Sequence, residues 1–148
     1  MTTTEAETGS GVLIPLREGM FEMPSSIEGT PELRGQRCTN CSEVFPTADR
    51  VFCANCCEEA LEPVLLGTTG ELLTYTLVRQ QLGGSLIKIP YVIGRVRLPE
   101  GVSVQTIVTD VEPEDVSVGM ALEICLKQVM EDDDGNSVVN FFFRPAEA

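Results

Sequence analysis

The sequence predicts a mainly β protein: a rubredoxin-like zinc ribbon followed by a five-stranded OB-fold barrel, with an N-terminal arm ahead of both. Three observations point there. Five of the six cysteines fall between residues 34 and 62, in a segment with few aliphatic side chains. Beyond residue 62, β-branched runs alternate with turn residues at short intervals. No helix-length pattern of apolar residues interrupts them, and several short strands at such spacing read as a small barrel or sandwich. The expected organisation is residues 1–33 as arm, 34–62 as ribbon and 63–148 as barrel. A chain of 148 residues is one ordinary domain or two small ones, and a ribbon this small needs a metal in place of a core.

The arm is rich in Thr, Ser, Gly and Glu, with apolar patches at Val12, Leu13, Ile14 and Leu16 and again at Met20, Phe21 and Met23. Neither patch sustains a helical or strand period. The first ten residues read as disordered, and the patches suit a segment that docks on a partner. The barrel strands are expected at 72–78, 91–98, 102–111, 121–129 and 137–143, each followed by a turn signal such as Gly83-Gly84, Pro99-Glu100-Gly101 or Asp134-Gly135. Alternation assigns faces. Val92, Val96 and Leu98 point inward while Arg95 and Arg97 point out. Leu122, Ile124 and Leu126 share one face, opposite Glu123, Cys125 and Lys127. Phe141 and Phe143 lie opposite Phe142.

The chemistry sits in the cysteines. CTNC at 38–41 and CANC at 53–56 are separated by eleven residues. A two-residue spacer lets one tight turn present two thiolates at a tetrahedral angle, and two such turns complete the shell of a zinc ion. Cys38, Cys41, Cys53 and Cys56 are therefore the expected ligands of a structural zinc. Knuckles of this kind often carry Gly after the second cysteine, where the backbone turns left-handed. Here those positions are Ser42 and Cys57. Cys57 could compete with Cys56 as fourth ligand, or fill the knuckle as a small buried residue; Cys56 keeps the spacer of the first pair. Four thiolates leave no position for water, so a Lewis-acid role is not expected. Iron in the same site would make a rubredoxin-like electron carrier, and spacing alone does not separate the two metals. Cys125 stands apart in a strand, and no His exists to activate it. It reads as an inert packed thiol.

The chain carries 23 acidic residues against 10 Lys and Arg, for a net charge of −13. That charge disfavours a polyanionic partner, since nucleic-acid affinity rests on cations that neutralise phosphates. The absence of Trp also leaves few stacking platforms for bases. With no His, the commonest general base is missing as well. Residues 63–97 differ, with Arg79, Lys88, Arg95 and Arg97 against Glu71 alone. This strip is either an anion or partner contact or a solvated strand face. The acidic run at 131–134 reads as a solvated hairpin tip without EF-hand spacing. The N-terminus lacks a secretory pattern and no apolar run is long enough for a bilayer. A cytoplasmic setting with reduced thiols is expected, in which paired cysteines bind metal.

IPLREGMFE (14–22), RGQRCTNCSEVFPTADRVFCANC (34–56), the strand opening Gly70-Glu71-Leu72-Leu73-Thr74-Tyr75-Thr76, Pro90-Tyr91-Val92, and Val118-Gly119-Met120 before ALEICL together resemble the acyl-CoA-associated zinc-ribbon/OB-fold family. The resemblance runs from about residue 14 to residue 144, and the cysteine pairs with Phe45-Pro46 between them are its most specific part. It implies a helical arm, a ribbon and an OB barrel, with Cys38, Cys41, Cys53 and Cys56 matching the zinc ligands. It also implies a non-catalytic subunit that accompanies a thiolase-fold large subunit and contributes to assembly and to the CoA or acyl-CoA site. The acidic, arm-bearing form looks like the small subunits of thiolases from anaerobic aromatic-compound degradation. No catalytic residue carries over. Two other classes remain open at this point, an oligonucleotide-binding ribbon/OB protein and a rubredoxin-like electron carrier.

Overall fold

A computed structural model of the chain describes residues 12–81, 83 and 87–146. The expectation of a disordered segment over the first ten residues falls outside these. Ten strands and one short 3-10 turn at Pro113–Asp115 account for the regular structure, and no α-helix occurs among the described residues. The barrel is built from β6 (Thr69–Val78), β7 (Tyr91–Arg97), β8 (Ser103–Val108), β9 (Ala121–Glu131) and β10 (Ser137–Pro145). Neighbours run β10-β8-β7-β6-β9, and a β9–β10 pairing closes the ring. The closed five-stranded OB barrel expected from the alternating runs is present.

β6 begins earlier than its apolar run suggested, because it has two neighbours. Its first residues, Thr69 to Glu71, pair with β9, while Glu71 to Val78 pair with β7. A register shift between Leu72 and Thr74 bends the strand where it changes partner, as bulges do at barrel corners. Inside, Leu72, Val96, Leu98, Leu122, Val139 and Phe143 are almost fully buried. Gly94 faces inward on β7, and a Cβ there would sit 2.7 Å from Leu72 Cδ1 and 3.1 Å from Val108 Cγ2. Its missing side chain is the space that Leu72 fills.

The faces of β7 and β9 follow the alternation, with one refinement. Cys125 and Phe142 lie on the outer face and stand in register with each other, yet both are buried. Sheet position alone would have left them wet.

Two short strands of the arm, β1 (Leu13–Pro15) and β2 (Phe21–Glu22), precede β3 (Glu32–Cys38), β4 (Val44–Phe45) and β5 (Leu61–Leu65). β3 carries the ribbon, pairing antiparallel with β2, β4 and β5. The arm departs from expectation. The resemblance implied a helix, and the apolar patches had no period. In the structure the first patch adds to the barrel as a strand parallel to β10, with Leu13 against Ser137 and Pro15 against Val139. The second patch sends Phe21 into the core, edge-on to Phe141 at 6.1 Å between ring centroids. Leu33 and Leu66 join the same cluster and Val44 of the ribbon packs against it, so arm, ribbon and barrel share one core. A strand of two or three residues has no room to display alternation, and the existing edge of β10 supplies the hydrogen bonds that such a short segment cannot supply alone.

Candidate metal centre

Each knuckle is held by the backbone in the same way. In the first, Cys38 N–H donates to the Glu43 carbonyl at 2.8 Å and Ser42 N–H to the Cys38 carbonyl at 2.9 Å. In the second, Cys53 N–H donates to the Glu58 carbonyl at 2.9 Å and Cys57 N–H to the Cys53 carbonyl at 2.8 Å. Ser42 and Cys57 take the left-handed conformation, with φ of 70° and 69°. The positions that often hold Gly therefore keep the left-handed turn, at a cost of about 1 to 2 kcal/mol each for a residue with a Cβ.

The turns bring Cys38, Cys41, Cys53 and Cys56 together, with all four Sγ atoms within 4.8 Å of one another. Cys38 Sγ lies 3.6 Å from Cys56 Sγ, and Cys41 Sγ lies 3.6 Å from Cys53 Sγ. Those distances are far beyond a disulfide bond of roughly 2.05 Å. They are close to the edge of a tetrahedron built on Zn–S bonds of ~2.3 Å, which is about 3.8 Å. The donor set thus fits a tetrathiolate metal ion. Cys56, not Cys57, belongs to the cluster. Cys57, in its left-handed turn, is exposed rather than packed inside the knuckle.

Backbone and side-chain N–H groups surround the sulfurs. Asn40 and Cys41 amides point at Cys38 Sγ at 3.4 and 3.5 Å, and Asn55 and Cys56 amides at Cys53 Sγ at 3.3 and 3.4 Å. Each knuckle also reaches across to the other. Asn40 Nδ2 donates to Cys56 Sγ at 3.3 Å, and Asn55 Nδ2 donates to Cys41 Sγ at 3.4 Å. Donors to the charged form favour the thiolate. The Asn55 amide, followed by the Glu43 backbone, pulls Cys41 down from 9.0 to about 6. The Asn40 amide, followed by the Glu58 backbone, lowers Cys56 in the same sense. Burial pushes Cys53 up to about 11.

The loop joining the knuckles is pinned by Gln36. Its Nε2 donates to the Arg50 carbonyl and its Oε1 accepts from Arg50 N–H, both at 3.0 Å. Arg50 in turn lies over the Phe45 ring, 4.7 Å from its centroid. The asparagines and Gln36 were missed by the sequence reading, although both knuckles spell Cys-x-Asn-Cys.

The strip Arg79, Lys88, Arg95 and Arg97 is not gathered at one place. All four are exposed. Arg97 stands in register with Glu71, and Arg95 donates to Ser103 Oγ at 3.3 Å. Arg79 borders a shallow groove with Ile89 and Glu114, and Lys88 lies in the segment leading into β7, at the far end of that strand from Arg97. Cys125 is 4% exposed, and burial raises its thiol to about 11. Lys127 pairs with Asp110 at 2.9 Å and Glu123 with Arg144 at 2.8 Å. The acidic turn closes on itself, with Asp132 accepting from the Asn136 and Asp134 amides at 2.8 and 3.0 Å.

A protein of Methanocaldococcus jannaschii described as a DUF35 domain-containing scaffold protein is 35% identical over 118 residues, 78% of this chain and 82% of that one. This chain belongs to the DUF35 family. A DUF35 domain-containing scaffold protein of Pyrococcus furiosus is 34% identical over 76% of this chain and 82% of its own length. Residues 63–127 match the family of ChsH2 C-terminal OB-fold domains. That stretch covers β6 to most of β9 and stops short of β10, which closes the barrel. Among solved structures, the Ltp2-ChsH2(DUF35) aldolase superposes with a TM-score of 0.62 at 24% identity, over 78% of this chain and 86% of that one. A DUF35 protein of unknown function from Sulfolobus solfataricus superposes at 0.50 with 15% identity, over 78% and 76%. These two likenesses are likenesses of fold. Among the described residues no helix is long and apolar enough to cross a membrane.

Proposed function

We propose that this DUF35 chain is an accessory subunit that folds around a structural zinc and assembles with a thiolase-type acyl-CoA enzyme, without supplying a catalytic group. The observation that carries the reading is the match to two relatives named scaffold proteins, which extends over about three quarters of this chain. The site agrees. Cys38, Cys41, Cys53 and Cys56 would hold the zinc, which would tie the two knuckles together where a small ribbon lacks a core. Four thiolates leave no open coordination position for substrate.

The remaining described residues offer no activated nucleophile. The chain contains no His, and Cys125 is kept neutral by burial. The name of the Ltp2-ChsH2(DUF35) aldolase supports a partner enzyme of some kind, and the motif resemblance favours a thiolase-fold partner acting on a CoA thioester. An aromatic acyl-CoA substrate is what the motif resemblance implies.

The test is co-purification of a tagged chain with its untagged partner from the source cells, followed by CoA-dependent thioester cleavage by the complex. The complex should turn over and the isolated chain should not. Turnover by the isolated chain, or a chain that purifies alone at native expression, would refute the reading. Iron in place of zinc in the purified chain would point instead to an electron carrier.

A further inference from the structure

The four ligand sulfurs are not equally sheltered. Cys38 and Cys53 are 0% exposed, whereas Cys41 and Cys56 are only partly buried. The hydrogen-bond donors divide along the same line. Cys38 Sγ takes the backbone amides of Asn40 and Cys41, and Cys53 Sγ those of Asn55 and Cys56, all within the same knuckle. Cys41 Sγ and Cys56 Sγ receive one backbone amide each, of Glu43 and Glu58. Their further donor is a side chain of the opposite knuckle, Asn55 Nδ2 at 3.4 Å for Cys41 and Asn40 Nδ2 at 3.3 Å for Cys56. Both asparagines are exposed, so each amide meets its sulfur at the surface of the ribbon.

A thiolate attacks an electrophile at a rate set by its charge and its exposure. Burial closes that route for Cys38 and Cys53 and leaves it open for Cys41 and Cys56. An N–H aimed at a sulfur stabilises the negative charge. That stabilisation is lost as the charge is spent on a new bond, so the donor raises the barrier to attack. The side-chain amides thus fall on the two sulfurs that burial does not protect. Cys57 supplies the contrast within the same turn, being exposed and outside the cluster.

We infer that Asn40 and Asn55 are positioning residues that cap the two accessible ligand thiolates, each guarding the knuckle opposite to its own, and so keep a partly exposed metal centre inert towards electrophiles. The inference rests on the structural-zinc part of the reading above and is independent of which enzyme is the partner. It goes beyond metal affinity. A weaker centre loosens all four sulfurs, whereas a missing cap bares one particular sulfur. It also gives a reason for the Cys-x-Asn-Cys spelling of both knuckles, since the third residue of each turn serves the fourth residue of the other.

The experiment treats the zinc-loaded full chain with iodoacetamide at neutral pH, after elemental analysis of each variant. Alkylation forms an S–C bond and expels iodide, leaving a neutral thioether where a thiolate ligand stood. Zinc release is followed with a chromogenic indicator, at a concentration that takes no zinc from the untreated variants, and peptide mass spectrometry locates the modified cysteines. The wild type should be labelled at Cys57 and keep its zinc. Asn40→Ala should release zinc at least about tenfold faster than the wild type, with Cys56 the first ligand modified, and Asn55→Ala likewise with Cys41 first. Asn40→Leu and Asn55→Leu, which keep the bulk without the donor, should behave as the Ala variants do. The crossed pattern is what a merely structural role would not give, because a loosened turn bares the cysteines of its own knuckle. Release as slow as in the wild type, first labelling within the substituted knuckle, full protection by Leu, or variants that cannot be loaded with zinc would each overturn the inference. A wild type without zinc at the outset would refute the zinc reading and the caps with it; a zinc-loaded chain with an uncrossed pattern refutes the caps and leaves that reading standing.

Discussion

Asn40 Nδ2 donates to Cys56 Sγ across 3.3 Å, and thereby joins the first knuckle to the second. Asn55 repeats the gesture towards Cys41 at 3.4 Å. The two knuckles are related by an approximate twofold operation, in which the third residue of each Cys-x-Asn-Cys turn supports the fourth thiol of the other. Groups that hydrogen-bond to metal ligands commonly change metal affinity tenfold to a hundredfold. Asn40→Ala and Asn55→Ala should therefore each keep the metal at neutral pH but surrender it to a chelator at a competitor concentration about tenfold lower. Elemental analysis of the wild type should give close to one zinc per chain. Cys56→Ala should lose the metal and Cys57→Ala should keep it; the reverse pattern would move the fourth ligand to Cys57.

The burial of Cys125 predicts a dependence on alkaline pH. Its thiol is raised in the folded chain from 9.0 to about 11, first by burial. Below pH 9 both folded and unfolded chains hold the proton, and the contribution is fully present. Between pH 9 and about 11 the unfolded chain releases the proton while the folded chain keeps it, so stability falls as pH rises. Denaturant midpoints measured across this window should decline more steeply for the wild type than for Cys125→Ala. Parallel slopes would show that the buried thiol is not the titrating group. The same burial should protect Cys125 from alkylation at pH 8 until the chain unfolds.

Phe21 predicts how far the arm matters. Its ring is 3% exposed and edge-on to Phe141, which is edge-on in turn to Phe143 at 6.4 Å. Phe21→Ala should cost about 3 to 5 kcal/mol of stability, the range for truncating a buried aromatic. Urea unfolding of the metal-loaded chain would measure it. Removing residues 1–23 should destabilise ribbon and barrel together, rather than leave them intact as an arm held only by a partner would. An unchanged urea midpoint would place Phe21 outside the core in solution.

Two polar residues of the ribbon should respond in opposite directions. Thr47 Oγ1 is buried with no hydrogen-bond partner among the described residues, whereas Gln36 makes both of its bonds to the Arg50 backbone. Removing an unsatisfied hydroxyl without changing shape relieves a desolvation penalty, and removing Gln36 leaves two backbone groups unpaired. Thr47→Val should be neutral or more stable by about 1 kcal/mol, and Gln36→Leu less stable by about 1 to 3 kcal/mol. Thermal melts of the two variants beside the wild type decide this. A destabilised Thr47→Val would indicate a bound water or ligand at that oxygen.

Much of this architecture was legible from residue order because it is local. A C-x2-C spacer carries its own turn, so Cys38 and Cys41, and Cys53 and Cys56, were recognisable as ligand pairs without a fold. The barrel strands were legible because their inward residues alternate, as Leu122, Ile124 and Leu126 do. Asn40 and Asn55 were overlooked although the repeated Cys-x-Asn-Cys spelling marked them. An amide donor to sulfur becomes visible as such only when the opposite knuckle is in place. The two strands of the arm were not foreseen, and the resemblance implied a helix there, because segments as short as Leu13–Pro15 and Phe21–Glu22 carry no period.

The sequence by itself determined the four-cysteine set, the succession of barrel strands and the absence of His, since each depends on residue type and on spacing within a few positions. The tertiary structure decided what depends on distant segments meeting. It placed Phe21 against Phe141, buried Cys125 beside Phe142 on the outer face, and brought Arg17, Arg34 and Arg95 to one cleft. It also dispersed the Arg79, Lys88, Arg95 and Arg97 strip along the length of β7, because residues close in sequence at a strand's two ends lie far apart in space. Burial and charge clustering are sums over three-dimensional neighbours, and closing the barrel chose those neighbours.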